Sequence, residues 1–286
     1  MRALAEFAMR GRVHAIGVAV LGLLLPFFVW VSAAVVGLVA LRRSGQDALV
    51  VLGWTLLAAF GLLLWQGDPG PFAALIATAV AAGVLHRTRS WPLALVAVVV
   101  TNLLMGFALN TLGADFVARL VATLNDFIGK LRAQMPAEQA ALLSELNATQ
   151  VSGLLALRSG FLTVLALLVA RWWQALLYNP GGFREEFHRL RLPLPVVAGL
   201  IVAGLLMTLL GDDYRWWSML FALPFVIAGF ALIHGVAGLK GWGRGPLIGL
   251  YLLWIVLWEV VTAALLLLAL IDSWWDFRGR LRARSQ

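Results

Sequence analysis

From Trp91 to Leu112 the chain carries no charged residue, and a run of that length matches the roughly 20 apolar residues that one helix needs to cross a bilayer. In hydrocarbon every backbone N–H and C=O must be satisfied internally, which an isolated apolar run achieves only as a helix. Similar runs, punctuated by Gly, Pro and clustered charge, recur along the whole sequence. Composition follows: 62% of the 286 residues are hydrophobic, 13% are charged and the mean hydropathy is +0.91, against about 45–50% apolar residues in soluble domains. The fold class read from this is all-α, a polytopic integral membrane bundle forming one membrane domain over residues 1–286.

The punctuation sets the elements. "GDPGP" at Gly67, "HRTRSWP" at His86, "GDDYR" at Gly211 and "KGWGRGP" at Lys240 each stop one helix and start the next. The predicted helices run from Val13 to Leu41, broken at Pro26, Ala48 to Gln66, Pro71 to Leu85, Trp91 to Leu112 and Val151 to Tyr178. Leu194 to Leu210, Trp216 to Leu239 and Pro246 to Ile271 follow. This makes about eight to nine membrane helices. The first run is long for one span and short for two, so Pro26 predicts two short, tilted halves. A cleaved signal peptide fits poorly, because the apolar run continues past the small residues Ser32 to Ala34.

Between Ala114 and Gln150 the chain turns polar. Phe116, Val117, Leu120, Val121, Leu124, Phe127 and Leu131 recur at helical spacing opposite Asp115, Arg119, Asp126 and Lys130, which predicts an amphipathic helix outside the hydrocarbon. Pro136 and Glu138, followed by Leu142, Leu143 and Leu146, predict a second short helix folding back to complete an extramembrane hairpin.

The net charge of +8 sits in short loops and tails beside apolar runs, which indicates membrane topology and anionic headgroups rather than nucleic acid. The Arg- and Lys-bearing loops at Arg2, Arg10 and Arg12, Arg42 and Arg43, Arg87 and Arg89, Arg184 to Arg191, and Lys240 and Arg244 can all be cytoplasmic if Pro26 divides two spans. The basic tail "DFRGRLRARSQ" then falls, by simple alternation, on the other side, and this parity is open. The pairs Trp172/Trp173, Trp216/Trp217 and Trp274/Trp275 read as interface markers.

Ionisable or amide groups inside spans cost roughly 2.5–3.5 kcal/mol for a charge and so call for a partner or a purpose. Glu259 sits inside "LYLLWIVLWEVVTAALLLLAL" beside Trp254 and Trp258, Arg158 inside "GLLALRSGF" and His234 inside "FALIHGVAG". Asn102 and Asn110 share a helix face. The candidate ligand-binding residues are therefore Glu259, Trp254, His234, Asn102 and Arg158, lining a pocket. The competing reading is interhelical glue, an Arg158–Glu259 pair or a hydrogen-bonded His234. No cysteine is present, no nucleophile–base pair is evident, and Glu185-x-x-His188 lacks the second pair of a dinuclear site. The expectation is no enzyme, no metal and no cofactor.

"RWWQALLYNPGGFREEFHRLRLP" stops a helix at Asn179-Pro180-Gly181-Gly182. The phases of Phe183 and Phe187 against Arg184 and Arg189 predict a surface helix with its apolar side on lipid, or a docking surface made by those four residues. This segment, with "FALIHGVAGLKGWG" and "LLALIDSWWDFRGRLR", resembles the YybS-like bacterial membrane proteins, a domain of unknown function. That family is distantly similar to the substrate-binding components of energy-coupling factor transporters. The resemblance implies a multi-pass protein of the bacterial inner membrane that binds a small solute, with an ATPase and a coupling subunit as partners. The alternative is a non-enzymatic scaffold of the cell envelope docking other membrane proteins.

Overall fold

The computed structural model describes residues 1–25, 27–43 and 45–284. Pro26 lies outside the described residues, while the helices on either side of it end at Leu24 and begin at Val29. The chain is 85% helical, with no strand among the described residues. In order the helices are α1 (Arg2–Met9), α2 (Arg12–Leu24), α3 (Val29–Arg42), α4 (Gly45–Gln66), α5 (Gly70–Thr88), α6 (Trp91–Leu112), α7 (Ala114–Arg132) and α8 (Ala137–Ala140). Then come α9 (Ala148–Tyr178), α10 (Gly182–Arg189), α11 (Leu194–Leu209), α12 (Arg215–Leu220), α13 (Leu223–Leu239), α14 (Gly245–Val256), α15 (Trp258–Trp275) and α16 (Phe277–Arg284). Five of these are long and apolar enough to cross a membrane, or up to seven if the bent pairs α10/α11 (67°) and the Asp212–Leu220 segment with α13 (41°) each count as one. That is fewer than the eight to nine expected; three further apolar helices, α2, α3 and α14, are shorter, at 13, 14 and 12 residues.

The long central helix α9 organises the bundle. Asn147 opens it with a reciprocal capping box to Gln150, at 3.0 and 3.1 Å, which satisfies two of its orphan N–H groups. At that end Trp217 is fully buried: its indole donates to the Thr149 carbonyl at 2.9 Å and stacks on Phe107 at 4.4 Å. The ring fits because Gly106 and Gly153 lack side chains; an added Cβ would come within 2.8 and 2.6 Å of it. At the far end Trp173 is also fully buried, while Trp172 is exposed. The Trp pairs are thus not simple boundary markers, because neighbours on a helix point about 100° apart and one indole of each of these two pairs enters the core.

One end of the bundle is basic and the other acidic. At the basic end Arg43 donates to the Met9 carbonyl at 2.6 Å, His86 Nδ1 meets the Leu41 carbonyl at 2.9 Å, and Arg42 lies over Tyr178 at 4.3 Å. At the acidic end Asn147 donates to Asp213 at 2.6 Å, and Gly67 lies beside Phe116 and Arg119. Among the described residues, the Lys and Arg away from the basic end are Arg119, Lys130, Arg132 and Arg215 at the acidic end and Arg158 between the two.

Two segments double back as helical hairpins, α2/α3 and α14/α15. In α2/α3 the Ser32 hydroxyl donates to the Ala19 carbonyl at 2.6 Å, and the Gly22 position lies against Ser32 and Phe28. The helices therefore run antiparallel, and both of their outer ends lie at the basic end, where Asp47 of α4 pairs with Arg12 at the start of α2 and with Arg43 at the end of α3. Each is only about 20 Å long by its residue count. The run expected from Pro246 to Ile271 likewise breaks at Leu257. Ring contacts of Tyr251 with His234 and of Trp254 with Phe230 set α14 antiparallel to α13. Contacts of Leu265 with Gly229 and of Arg278 with Gly235 then set α15 parallel to it. The chain returns to the basic end, which resolves the parity of the tail: Arg278 sits there against the His188 carbonyl.

Beyond α7 the expected return helix is only the single turn α8. The chain then runs back along α7, held by Asn125, which pairs with both backbone groups of Leu146 at 2.9 Å, and by Arg132, which donates to the Leu143 carbonyl at 2.8 Å. Side-chain capture of backbone groups by Asn and Arg replaces helical hydrogen bonds there.

Candidate functional site

Helix α3 packs between α5 and α9, as shown by Gly37, whose missing Cβ would sit 3.0 Å from Ala170 and 3.1 Å from Thr78. Because α3 begins only at Val29, partway along the bundle, it fills the basic half and leaves the space between α5, α6 and α9 open toward the acidic end. That space is a cavity of ≈ 440 Å³, within the roughly 300–1,000 Å³ of small-molecule sites. Its floor is Val29, its walls include Phe72, Met105 and Leu162, and Phe116 of the amphipathic helix α7 lies at its acidic end. A second cavity of ≈ 320 Å³, between α11, α12 and α15, carries few polar groups, chiefly Thr208 and Ser218.

Two of the sequence candidates meet in the larger cavity. Asn102 is fully buried on α6; its amide donates to the Val98 carbonyl at 2.8 Å and reaches Thr163 at 3.5 Å, while its Oδ1 has no partner. Arg158, on α9, is accessible, lines the same cavity and makes no hydrogen bond or ion pair among the described residues. Ser159, beside it, has a buried hydroxyl oxygen without a partner. Ser159 escapes a reading from sequence because one serine in an apolar helix carries no periodic signal; its adjacency to Arg158 is the only hint. Asn110, one level closer to the acidic end, is taken up by Ser152 at 3.1 Å and acts as a tie between α6 and α9.

The other three candidates lie elsewhere. Glu259 stands exposed in the first turn of α15, next to the break at Leu257. It does not pair with Arg158. Trp254 donates to Thr262 at 2.9 Å, bracing the α14/α15 break. His234 is hydrogen-bonded to the Tyr251 hydroxyl at 2.9 Å and touches Phe187 and His188, so it ties α13 to α14 and α10.

The surface helix α10 is also placed differently from its predicted phases. Phe183 and Phe187 face the protein rather than lipid: Phe183 lies 6.2 Å from Trp91 and 5.7 Å from Phe187, which meets His234 at 5.6 Å. Arg184 and Arg189 lie on the outer side of the helix. The anchor of α10 is Glu186, which accepts from Arg171 Nε at 2.9 Å and from the Trp91 indole at 3.3 Å. Sequence phase cannot single out Glu186 from Glu185, because only tertiary packing brings Arg171 to one of them. The segment after α15 has a similar lock. Arg278 and Asp272 are both buried, paired at 2.6 Å, and Arg278 also donates to the His188 carbonyl at 2.9 Å.

No protein-family model, no curated protein and no solved structure matches this chain.

Proposed function

We propose that the protein is a membrane component that binds a small solute in the cavity between α5, α6 and α9. The observation that carries this reading is the void left above the short helix α3, lined by Asn102, Ser159 and the unpaired Arg158. The Asn102 Oδ1 and the Ser159 hydroxyl are buried there without partners. Buried polar atoms are normally satisfied, so two unsatisfied ones beside a void argue for an occupant. The resemblance to substrate-binding components of energy-coupling factor transporters points the same way and implies an ATPase and a coupling subunit. A docking surface on α10 gains less support, because its two phenylalanines are used internally.

The absence of cysteine makes the test direct. A single Ser159→Cys variant in lipid nanodiscs is expected to react with a small water-soluble methanethiosulfonate, and Leu155→Trp in the same background, which fills the void, is expected to block that reaction. Protein purified from its native membrane is expected to release a bound small molecule on denaturation. An unreactive Ser159→Cys variant with no released molecule would sink the reading.

A further inference from the structure

Resting on that cavity, we infer that its ligand is an organic monoanion with an apolar body and one hydrogen-bond donor, its anionic end held by Arg158 and its donor by Asn102. Arg158 carries a permanent charge. It lies ten residues from the start of α9 and thirteen from Arg171, so roughly 15 and 20 Å from either end of the crossing. A cation at that depth is expensive without an anion, yet none of the described residues supplies one. Asp68, the carboxylate that lines the cavity, is turned to the Gly70 N–H at 2.8 Å, and Glu259 stands on another element. The first turn of α5, Gly70 and Pro71, also borders the cavity and presents the positive end of a helix dipole.

The rest of the lining sets the remainder of the ligand. Val29, Phe72, Met105 and Leu162 offer apolar surface, which suits a hydrocarbon or aromatic body and disfavours a highly hydrated ion such as phosphate. Asn102 has both amide hydrogens directed to protein, at Val98 and Thr163, so what it has left is an acceptor. A ligand hydroxyl or N–H satisfies it. The unpartnered Ser159 hydroxyl adds a donor beside Arg158, reinforcing recognition of an anionic oxygen.

The test uses the full chain in nanodiscs and three matched probes: indole-3-butyrate, its primary amide and the corresponding amine. Equilibrium dialysis is expected to show the carboxylate binding about tenfold or more tightly than the other two, the scale of one charge-assisted contact. Arg158→Gln is expected to remove that preference and Arg158→Lys to keep part of it. Asn102→Leu should weaken the indole carboxylate but not 4-phenylbutyrate, which lacks the N–H. Oleate placed in the bilayer separates the sources: competition by oleate assigns a lipid-derived anion, and its failure to compete assigns a soluble one. Equal binding of the three indoles, or no carboxylate binding while the Ser159→Cys variant remains reactive, would overturn the anion assignment and leave the accessible cavity standing.

Discussion

The hydroxyl of Ser32 donates to the backbone carbonyl of Ala19 at 2.6 Å. That bond joins two helices, of 13 and 14 residues, into a hairpin that enters and leaves at the basic end. The cavity exists because this hairpin stops short. Ser32→Ala is expected to destabilise the protein by about 1 kcal/mol, the usual worth of one hydrogen bond. Ser32→Leu should cost about 1–3 kcal/mol through overpacking against Gly22. Thermal unfolding in a fixed detergent measures both, and an unchanged midpoint for Ser32→Leu would contradict this packing.

Topology follows from the two returning hairpins. Single cysteines at Gly11, Arg89, Gly243 and Ala283 are expected to react with an impermeant maleimide from one side of a sealed vesicle, and those at Asp126 and Asp213 from the other. Labelling of position 283 from the same side as position 213 would show that α14 and α15 do not double back.

The close approach of α13 and α15 rests on Gly229. A Cβ there would lie 2.5 Å from the Leu265 carbonyl oxygen, a backbone atom that cannot swing aside. Gly229→Ala is therefore expected to destabilise by about 1–3 kcal/mol or more. Gly249→Ala, which has open space around it, serves as the control and should leave the melting temperature unchanged or slightly raised.

Asp272 and Arg278 form a pair whose side chains are 3% and 5% exposed. Removing one partner strands a buried charge and is expected to cost about 3–5 kcal/mol, as with Asp272→Asn or Arg278→Met alone. The double variant should cost much less than the sum of the two. Additive losses in the double-mutant cycle would show that the two groups do not interact.

His188, on the surface helix α10, is held below its ordinary pKa of 6.5 by burial first and then by the neighbouring Arg184, His234 and Arg278. The folded protein thus favours the neutral ring, whereas the unfolded chain takes up its proton as soon as the pH falls below about 6.5. This contribution is complete above that value and declines as the pH drops toward the lowered folded-state value. Melting curves from pH 8 to 5.5 are expected to fall more steeply for the native chain than for His188→Gln. Parallel curves would exclude His188 as the cause.

The sequence by itself determined the solvent and the element type: uncharged runs such as Trp91 to Leu112 admit only helix in hydrocarbon, and the stop chemistry at Gly67 and Asn179 marks where the helices end. It also pointed to Asn102 and Arg158, since polar groups inside such runs stand out one residue at a time. Hydropathy, however, counts apolar residues and is blind to whether a segment crosses or doubles back. The paths of α2/α3 and α14/α15 depended on Ser32 meeting Ala19 and Arg278 meeting His188, contacts 13 and 90 residues apart in the chain. The same blindness linked Glu259 and His234 to a pocket they do not reach, and turned Phe183 and Phe187 toward lipid when they pack on Trp91 and His234. Which polar groups share a cavity was decided only in the tertiary structure. The cavity is the space a short helix leaves empty, and a void between helices has no residues of its own to be read.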